Sequence, residues 1–175
     1  ETHKRVETQA LLSANVEQVP LKEFVHHNHK LYEVDVDAIL NRNPQLVILD
    51  ELAHSNVAGS RNLKRYQDVL ELLAAGIDVY TALNIQHIES LNDVVSQITG
   101  IKVNETVPDS IIENATEIKL IDVTPDELIE RLRDGKIYSP DRAAKALENF
   151  FRKGNLTALR EMSLLKKKKK VEQQV

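Results

Sequence analysis

The chain has 175 residues, of which 29% are charged and 42% hydrophobic, as in an ordinary folded domain. Its net charge of −4 and its aromatic content of 4%, without tryptophan, argue against a general nucleic-acid binder, so we expect no nucleic-acid partner. The lack of cysteine excludes a disulfide framework and a thiolate metal site, which suits a reducing cytosol, and no apolar run reaches membrane-spanning length.

The first part of the chain predicts short elements of mixed type. They are a helix over residues 1–12, strands over residues 16–20, 21–26 and 30–34, and a helix over residues 35–42. Three histidines, His26, His27 and His29, lie near the turn between the second and third strands. Successive strand side chains point to opposite faces, and no carboxylate or cysteine completes a ligand set, so we interpret them as an exposed turn.

The most informative stretch of the sequence is residues 46–65. It opens with the apolar run Leu46-Val47-Ile48-Leu49, which predicts a strand buried on both faces of a parallel sheet. Asp50 and Glu51 then lie at the carboxyl end of that strand, where α/β sheets bind their ligands. This pattern is typical of a Walker B segment, in which Asp50 holds Mg²⁺ and Glu51 orients or deprotonates a water beside a phosphate. The alternative is that the acids only mark where solvent begins.

A polar and basic loop follows these two carboxylates. Arginine and lysine beside a metal-binding carboxylate suit the charge of a phosphate, and Ala58-Gly59 gives the backbone freedom to turn. The alternative is a solvated connection with ordinary surface charge. The polar residues of the loop are His54, Ser55, Asn56, Ser60, Arg61, Lys64 and Arg65.

A second strand end carries further polar side chains. Residues 65–75 predict a helix that ends at Gly76, and residues 77–83 predict a strand. Thr81, Asn84, Gln86 and His87 follow or end this strand. A side-chain amide there can sense a terminal phosphate or position a water. We favour the alternative that Asn84 caps the next helix, although both can hold, and we expect His87 to pack rather than to catalyse.

The rest of the chain carries mainly structural signals. The predicted elements are helices over residues 88–99, 110–114, 124–134 and 139–154, a strand over residues 118–123, and a last helix from Leu156. The clearest signal is Thr124-Pro125-Asp126-Glu127, which combines an N-cap, a proline at the first helical position and a capping-box glutamate. Five lysines, Lys166 to Lys170, suit anionic lipid or nucleic acid, but we favour a solvated tail or an added sequence.

Strands that alternate with helices predict an α/β fold with a mainly parallel sheet flanked by helices, as in P-loop NTPases. The phosphate-binding loop of P-loop NTPases is missing from this sequence, since no G-x-x-x-x-G-K-[ST] motif occurs. The chain starts with Glu rather than Met, so we expect a segment of a longer protein whose Walker A unit precedes Glu1. We expect one domain over residues 1–155 and a linker helix with a lysine-rich tail over residues 156–175.

Several long runs are specific enough to indicate a family. They are LDELAHSNVAGSRNLKRYQDVLELLAAGIDVYTALNIQHIESLNDVV, VPDSII, RLRDGKIY and ALENFFRKGNLTALRE. They resemble the amino-terminal cytoplasmic domain of the Kdp-type (KdpD) potassium sensor histidine kinases, over nearly the whole chain to about Glu161. The lysine run departs from the family pattern. The resemblance implies an input module on the cytoplasmic face, which reaches the membrane only through its parent protein.

The same resemblance implies a function and its partners. The module binds ATP and Mg²⁺ in the complete protein and biases the kinase and phosphatase activities of a distant core. Its partners are the other domains of the same kinase and, through the core, a response regulator. Because the core is absent from the chain, no catalytic residue is assigned. The alternatives are a fragment of a free-standing P-loop NTPase or nucleotide-dependent transferase, and a pure protein-docking domain.

The resemblance also assigns candidate site residues, position by position. Asp50 and Glu51 match the Walker B-like pair of the family, with Asp50 as the Mg²⁺ ligand. Because the Walker A-like loop of the family lies in a unit before this sequence, we expect weak or no ATP binding by the segment alone. The candidates for nucleotide or Mg²⁺ binding are Asp50, Glu51, His54, Asn56, Ser60, Arg61, Thr81, Asn84 and Gln86, and His87 matches the same strand end.

Overall fold

The computed structural model describes residues 5–173, apart from the side chain of Ser13, and the chain forms two compact units, residues 1–83 and 84–175. The first unit contains α1 (Val6–Ser13), β1 (Lys22–His26), β2 (His29–Glu33), α2 (Val36–Arg42), β3 (Leu46–Ile48), α3 (Arg65–Ala74) and β4 (Asp78–Tyr80). The second contains 3₁₀ turns at Ile85–His87 and Glu89–Leu91, then α4 (Asn92–Thr99), α5 (Asp109–Glu113), α6 (Pro125–Arg133), α7 (Pro140–Glu148) and α8 (Lys153–Gln173).

The strands of the first unit form two small sheets. β1 and β2 form an antiparallel hairpin, and its turn residues His27 and Asn28 have φ of 46° and 64°, which confirms the exposed turn predicted there. β3 and β4 pair in parallel, with Val47 opposite Val79. The α/β class is therefore confirmed. A mainly parallel sheet of the P-loop type is not confirmed, since each of the two sheets has two strands.

The burial predicted for β3 is wrong. Ile48 is 71% exposed and its partner Tyr80 is 65% exposed, whereas Val47 and Val79 on the opposite face are half-buried. Helix α3 packs against β4, and the core beside it contains the fully buried Leu72. Among the described residues, the face that carries Ile48 and Tyr80 is therefore left exposed. An apolar run cannot reveal by itself whether a second layer covers both faces.

Two predicted strands are absent from the structure. Residues 16–20 and 118–123 have no regular secondary structure. A strand needs a neighbouring edge with which to exchange backbone hydrogen bonds, and neither segment has one among the described residues. Ile121 is 83% exposed, and Asp122 accepts hydrogen bonds from Arg160 at 2.6 and 2.7 Å, so the second segment is attached to α8 by side chains.

The sequence signals at helix ends predicted the structure more reliably than the apolar runs predicted strands. Gly76, Gly100 and Gly135 follow helices at φ of 82°, 72° and 71°, as predicted. At the start of α6, Thr124 Oγ1 accepts a hydrogen bond from Glu127 N at 3.3 Å, which confirms the cap. The end predicted for α7 is wrong, because that helix stops at Glu148.

The helix predicted to begin at residue 88 begins at Asn92 instead. Asn92 Nδ2 donates hydrogen bonds to Gln86 O at 3.2 Å and to Val103 O at 2.9 Å. Ile88 is extended, with φ of −78° and ψ of 122°, and Glu89 N donates a hydrogen bond to Val107 O at 3.1 Å. The backbone therefore pairs with Val107 there, and no continuous helix runs from residue 88. Asn84 precedes the first turn, but its side chain makes no capping hydrogen bond, so the cap predicted for it is wrong.

The lysine run belongs to α8 and is partly docked. Lys166 Nζ contacts Asp109 Oδ2 at 2.6 Å, and Lys170 Nζ contacts the backbone oxygen of Glu113. The prediction of a solvated tail is therefore wrong for the side chains of Lys166 and Lys170. Within residues 5–173, no helix is both long and apolar enough to cross a membrane.

Candidate functional site

The chain segments that follow β3 and β4 stay side by side. Leu49 N donates a hydrogen bond to Tyr80 O at 2.9 Å, and Leu52 N donates one to Ala82 O at 3.1 Å. Because the two strands are parallel, both carboxyl ends reach the same edge of the sheet. Asp50 and Thr81 therefore lie at one edge, as the sequence predicted.

Asp50 and Glu51 open a tight turn at this edge, in which Glu51 O accepts a hydrogen bond from His54 N at 2.9 Å. Asp50 Oδ1 accepts a hydrogen bond from Glu51 N at 2.8 Å. Glu51 has φ of 55°, a left-handed conformation that costs a side-chain-bearing residue about 1–2 kcal/mol. Residues held in sparsely populated conformations persist only where their surroundings impose them, and they cluster at functional sites. The turn is thus a strained element held in place by its neighbours.

The main neighbour is Arg65, the first residue of α3, whose side chain is 9% exposed. Its Nη1 donates a hydrogen bond to the backbone oxygen of Asp50 at 3.0 Å and lies 3.9 Å from Glu51 Oε2. Its Nη2 donates to Glu33 Oε2 at 3.3 Å. One buried guanidinium therefore binds the turn and offsets part of the negative charge of the acidic pair.

Glu33 completes this arrangement. It is 3% exposed, and its Oε1 lies 2.9 Å from His54 Nε2 and accepts a hydrogen bond from Val57 N at 2.9 Å. Burial of a carboxylate is costly unless charged or polar partners compensate it, and here Arg65, His54 and a backbone N–H do so. The predicted site residue His54 thus binds an acid of the hairpin.

Two of the remaining loop residues, Asn56 and Arg61, bind acidic side chains of α3. Asn56 Nδ2 donates to Asp68 Oδ2 at 2.8 Å, and Arg61 Nε donates to Glu71 Oε1 at 3.0 Å. A hydrogen bond from Asn62 and, after it, the contact with Arg61 lower the pKa of Glu71 below its ordinary value. Arg61 also contacts Asp37 of α2. The cationic side chain predicted for phosphate is therefore engaged by carboxylates in this structure.

These side chains surround a small polar cavity of about 20 Å³. Its lining includes Glu33, Asp35, Asn56, Ser60, Arg61 and Asp68. A volume of this size holds about one water molecule, so a nucleotide does not fit there. Ser60 Oγ donates to Val57 O at 2.6 Å and so helps to close the turn that bounds the cavity.

The donor set at the sheet edge fits Mg²⁺ only in part. Mg²⁺ is usually held by one or two carboxylates together with water and phosphate oxygens. Asp50 is half-buried and offers one such carboxylate. Within the described part of the chain, no group of three or more His, Asp or Glu side chains is arranged to hold a metal. Phosphate oxygens and water would have to supply the other ligands.

Asn84, Gln86 and His87 belong to the second compact unit. There Gln86 O accepts from Asn92, and His87 Nδ1 lies 2.7 Å from the backbone oxygen of Glu105. His87 is half-buried and has a structural contact, as expected for a packing residue. The structure places the candidates of the first unit in two groups. Asp50, Glu51 and Thr81 lie at the sheet edge, whereas Asn56, Ser60 and Arg61 line the small cavity.

Sequence reasoning missed Glu33 and Asp68, the two acids that organise the loop. Glu33 lies in a predicted strand and Asp68 lies in a predicted helix, so each resembles an ordinary surface charge in the sequence. No spacing rule connects either of them with residues 54–65, because the contacts arise from tertiary packing. Two predicted loop residues have backbone or positioning roles: Arg65, described above, and Lys64, whose Nζ donates to Ala53 O at 3.0 Å.

Comparisons with known proteins identify the family of the chain. A family model described as the osmosensitive K⁺ channel His kinase sensor domain (KdpD) matches residues 1–171. The chain is 51% identical over its full length to the sensor protein KdpD of Escherichia coli (strain K12) and covers 20% of that protein. It is 50% identical over 165 residues to the sensor protein KdpD of Mycobacterium tuberculosis (strain ATCC 25618 / H37Rv), of which it covers 19%.

A third relative, the sensor protein KdpD of Clostridium acetobutylicum, is 47% identical over 164 residues, and the match covers 94% of the chain and 18% of that relative. The chain thus spans about a fifth of the length of these three relatives. The family model matches almost the whole chain, including both compact units. The chain therefore belongs to the KdpD family of osmosensitive K⁺ channel His kinase sensor domains.

Proposed function

We propose that this sensor domain is the nucleotide-linked input module of a potassium-responsive two-component kinase, placed on the cytoplasmic face of the membrane. Its state biases the kinase and phosphatase activities of the core, which passes a phosphoryl group to a response regulator. The observation that carries the proposal is the strained Asp50-Glu51 turn, held by buried Arg65 at the carboxyl edge of a parallel strand pair. A free-standing NTPase or transferase finds no support, since the relatives named above are sensor proteins.

The predicted P-loop-like parallel sheet is part of this proposal. Parallel sheets normally have both faces covered, but Leu46, Ile48 and Tyr80 are 42%, 71% and 65% exposed. In the longer parent protein, residues outside this chain extend the β3–β4 pair into a P-loop-like sheet, cover its exposed face with helices and supply the phosphate-binding loop. ATP and Mg²⁺ then bind at the edge marked by Asp50, Glu51 and Thr81, and the segment alone binds them weakly or not at all.

The geometry favours a regulatory role over rapid hydrolysis. A general base needs a free carboxylate within reach of the attacking water. Glu51 Oε2 lies 3.9 Å from the guanidinium of Arg65, so this carboxylate already faces a cation of its own unit. Bound nucleotide therefore acts by favouring one conformation of the module, which requires different affinities for its two states.

The test compares Asp50→Asn with Asp78→Asn in the full-length parent kinase. Both substitutions remove one carboxylate from the same strand pair, but Asp78 begins β4 and lies at the opposite edge. We expect Asp50→Asn to weaken Mg-ATP binding at least about tenfold and to abolish the rise in melting temperature that a bound ligand produces. Asp78→Asn should change neither. Equal Mg-ATP titrations of the two variants, or a wild-type parent that binds no nucleotide beyond the one held by its kinase core, would refute the proposal.

A further inference from the structure

Glu33 has an unusual position for a charged residue of a hairpin. It is the last residue of β2 and only 3% exposed, whereas every other residue of β1 and β2 is half-buried or exposed. Its side chain therefore points away from the hairpin surface and into the interior of the first unit. A buried carboxylate is retained at a cost, so its partners indicate what it does.

The partners of Glu33 all lie on the segment that follows β3. They are His54 Nε2 at 2.9 and 3.0 Å, Val57 N at 2.9 Å and Arg65 Nη2 at 3.3 Å. His54 follows the Asp50-Glu51 turn by three residues, and Arg65 closes the segment as the first residue of α3. One carboxylate thus binds this segment near its beginning, in its middle and at its end.

The contacts of Glu33 reach the acidic turn through Arg65. The same guanidinium that donates to Glu33 also donates to Asp50 O and lies 3.9 Å from Glu51 Oε2. Without the Glu33 charge, Arg65 would remain buried with less compensation and would be free to turn toward Glu51. Both oxygens of Glu33 already have partners, so Glu33 itself is poorly placed to bind a metal or a phosphate.

We propose that Glu33 is a positioning residue for the candidate nucleotide site: through Arg65, His54 and Val57 it fixes the segment that carries Asp50 and Glu51, and it makes that geometry depend on the β1–β2 hairpin. The functional part of this inference rests on the proposed nucleotide-linked role. The structural part, that one hairpin carboxylate sets the conformation of residues 50–65, stands on the contacts above.

The experiment compares Glu33→Gln with Glu23→Gln. Glu23 lies on β1 of the same hairpin, and its side chain is 42% exposed and pairs with Lys30, so its variant removes a hairpin carboxylate without touching the loop. In this chain, NMR measures the hydrogen exchange of the Val57 amide and the ring nitrogen signals of His54. In the full-length parent kinase, calorimetry measures the affinity for Mg-ATP at a temperature where every variant is folded.

We expect Glu33→Gln to accelerate exchange at Val57 and to change the His54 signals, while the amide of Leu72 in the α3 core keeps its protection. We expect Mg-ATP affinity to fall about tenfold or more, the usual effect of removing a residue that orients a ligand site. Glu23→Gln should change none of these. If Glu33→Gln does not fold, Glu33→Asp, which withdraws the charge by one methylene, takes its place with the same readouts.

Two outcomes would overturn the inference. A folded variant with unchanged Val57 exchange and unchanged His54 signals would show that Glu33 does not position the loop. A loosened loop with unchanged Mg-ATP affinity would reduce Glu33 to a structural residue. If the wild-type parent binds no Mg-ATP beyond that of its kinase core, the proposed function fails, and the measurements on Val57 and His54 still decide the structural part.

Discussion

Arg65 Nη1 donates a hydrogen bond to the backbone oxygen of Asp50 at 3.0 Å, which joins the first residue of α3 to the residue just beyond β3. The guanidinium also compensates the buried charge of Glu33. Helix start, strand end and hairpin therefore meet at one side chain. This contact defines the candidate site more sharply than any motif in the sequence.

Removal of this side chain should strongly destabilise the first unit. Arg65→Ala leaves the Glu33 carboxylate buried with less compensation, and breaking a buried ion pair typically costs about 3–5 kcal/mol. We expect a loss of that order in the free energy of unfolding, measured by urea titration. Arg42→Ala breaks an exposed pair with Glu17 and should leave the stability nearly unchanged. Similar effects of the two substitutions would contradict the importance assigned to Arg65.

The left-handed conformation of Glu51 gives a second prediction. Glu51→Gly and Glu51→Ala both remove the carboxylate near Arg65, but only glycine adopts φ of 55° without a steric penalty. We expect the glycine variant to be more stable than the alanine variant by about 1 kcal/mol. Thermal unfolding of the two variants measures the difference directly. Equal stabilities would mean that the turn relaxes to an ordinary conformation once the side chain is removed.

The contact between α5 and α8 should depend on pH. Burial would raise the pKa of Asp109, but hydrogen bonds from Lys166 and Ser90 outweigh it and lower the pKa from 3.8 to about 2. A carboxyl group whose folded pKa is depressed stabilises the fold above its unfolded pKa and loses that contribution as the pH falls through the folded value. We therefore expect this contribution to be complete above about pH 4 and to disappear toward pH 2.

Lys166→Met provides the measurement of this pH dependence. The stability difference between the wild-type chain and Lys166→Met should be present at pH 6 and should shrink as the pH falls from 4 toward 2. Lys168→Met is the control, because Lys168 is exposed and, among the described residues, forms its ion pair with Glu172 one turn away. A difference that does not vary with pH would show that Asp109 and Lys166 do not interact as the structure indicates.

The exposed face of β3 and β4 gives a prediction about the parent protein. In this chain Ile48→Thr should change the free energy of unfolding by less than about 0.5 kcal/mol, because Ile48 is 71% exposed. In the full-length parent the same substitution should cost about 1 kcal/mol or more, because the completed sheet buries this side chain. Val47→Thr, on the half-buried face, should be destabilising in both proteins. Equal tolerance of Ile48→Thr in chain and parent would refute the proposed sheet completion.

Local chemistry made much of this fold predictable. The glycines at 76, 100 and 135 end helices because they adopt positive φ without a steric penalty. Thr124 and Pro125 begin α6 because an N-cap oxygen and a proline satisfy the exposed helix start. Asp50 and Thr81 were expected at one sheet edge because parallel strands end on the same side, and this expectation is confirmed.

The sequence by itself determined the α/β class, most helix ends, the hairpin and the family. Tertiary structure alone decided that Ile48 is exposed, that residues 118–123 do not form a strand, and that Glu33 organises the candidate site. The physical reason is the range of the interactions. Caps, turns and left-handed positions depend on neighbours within a few residues, whereas sheet pairing, burial and the Glu33–Arg65 contact join residues that are far apart in the chain and meet only after packing.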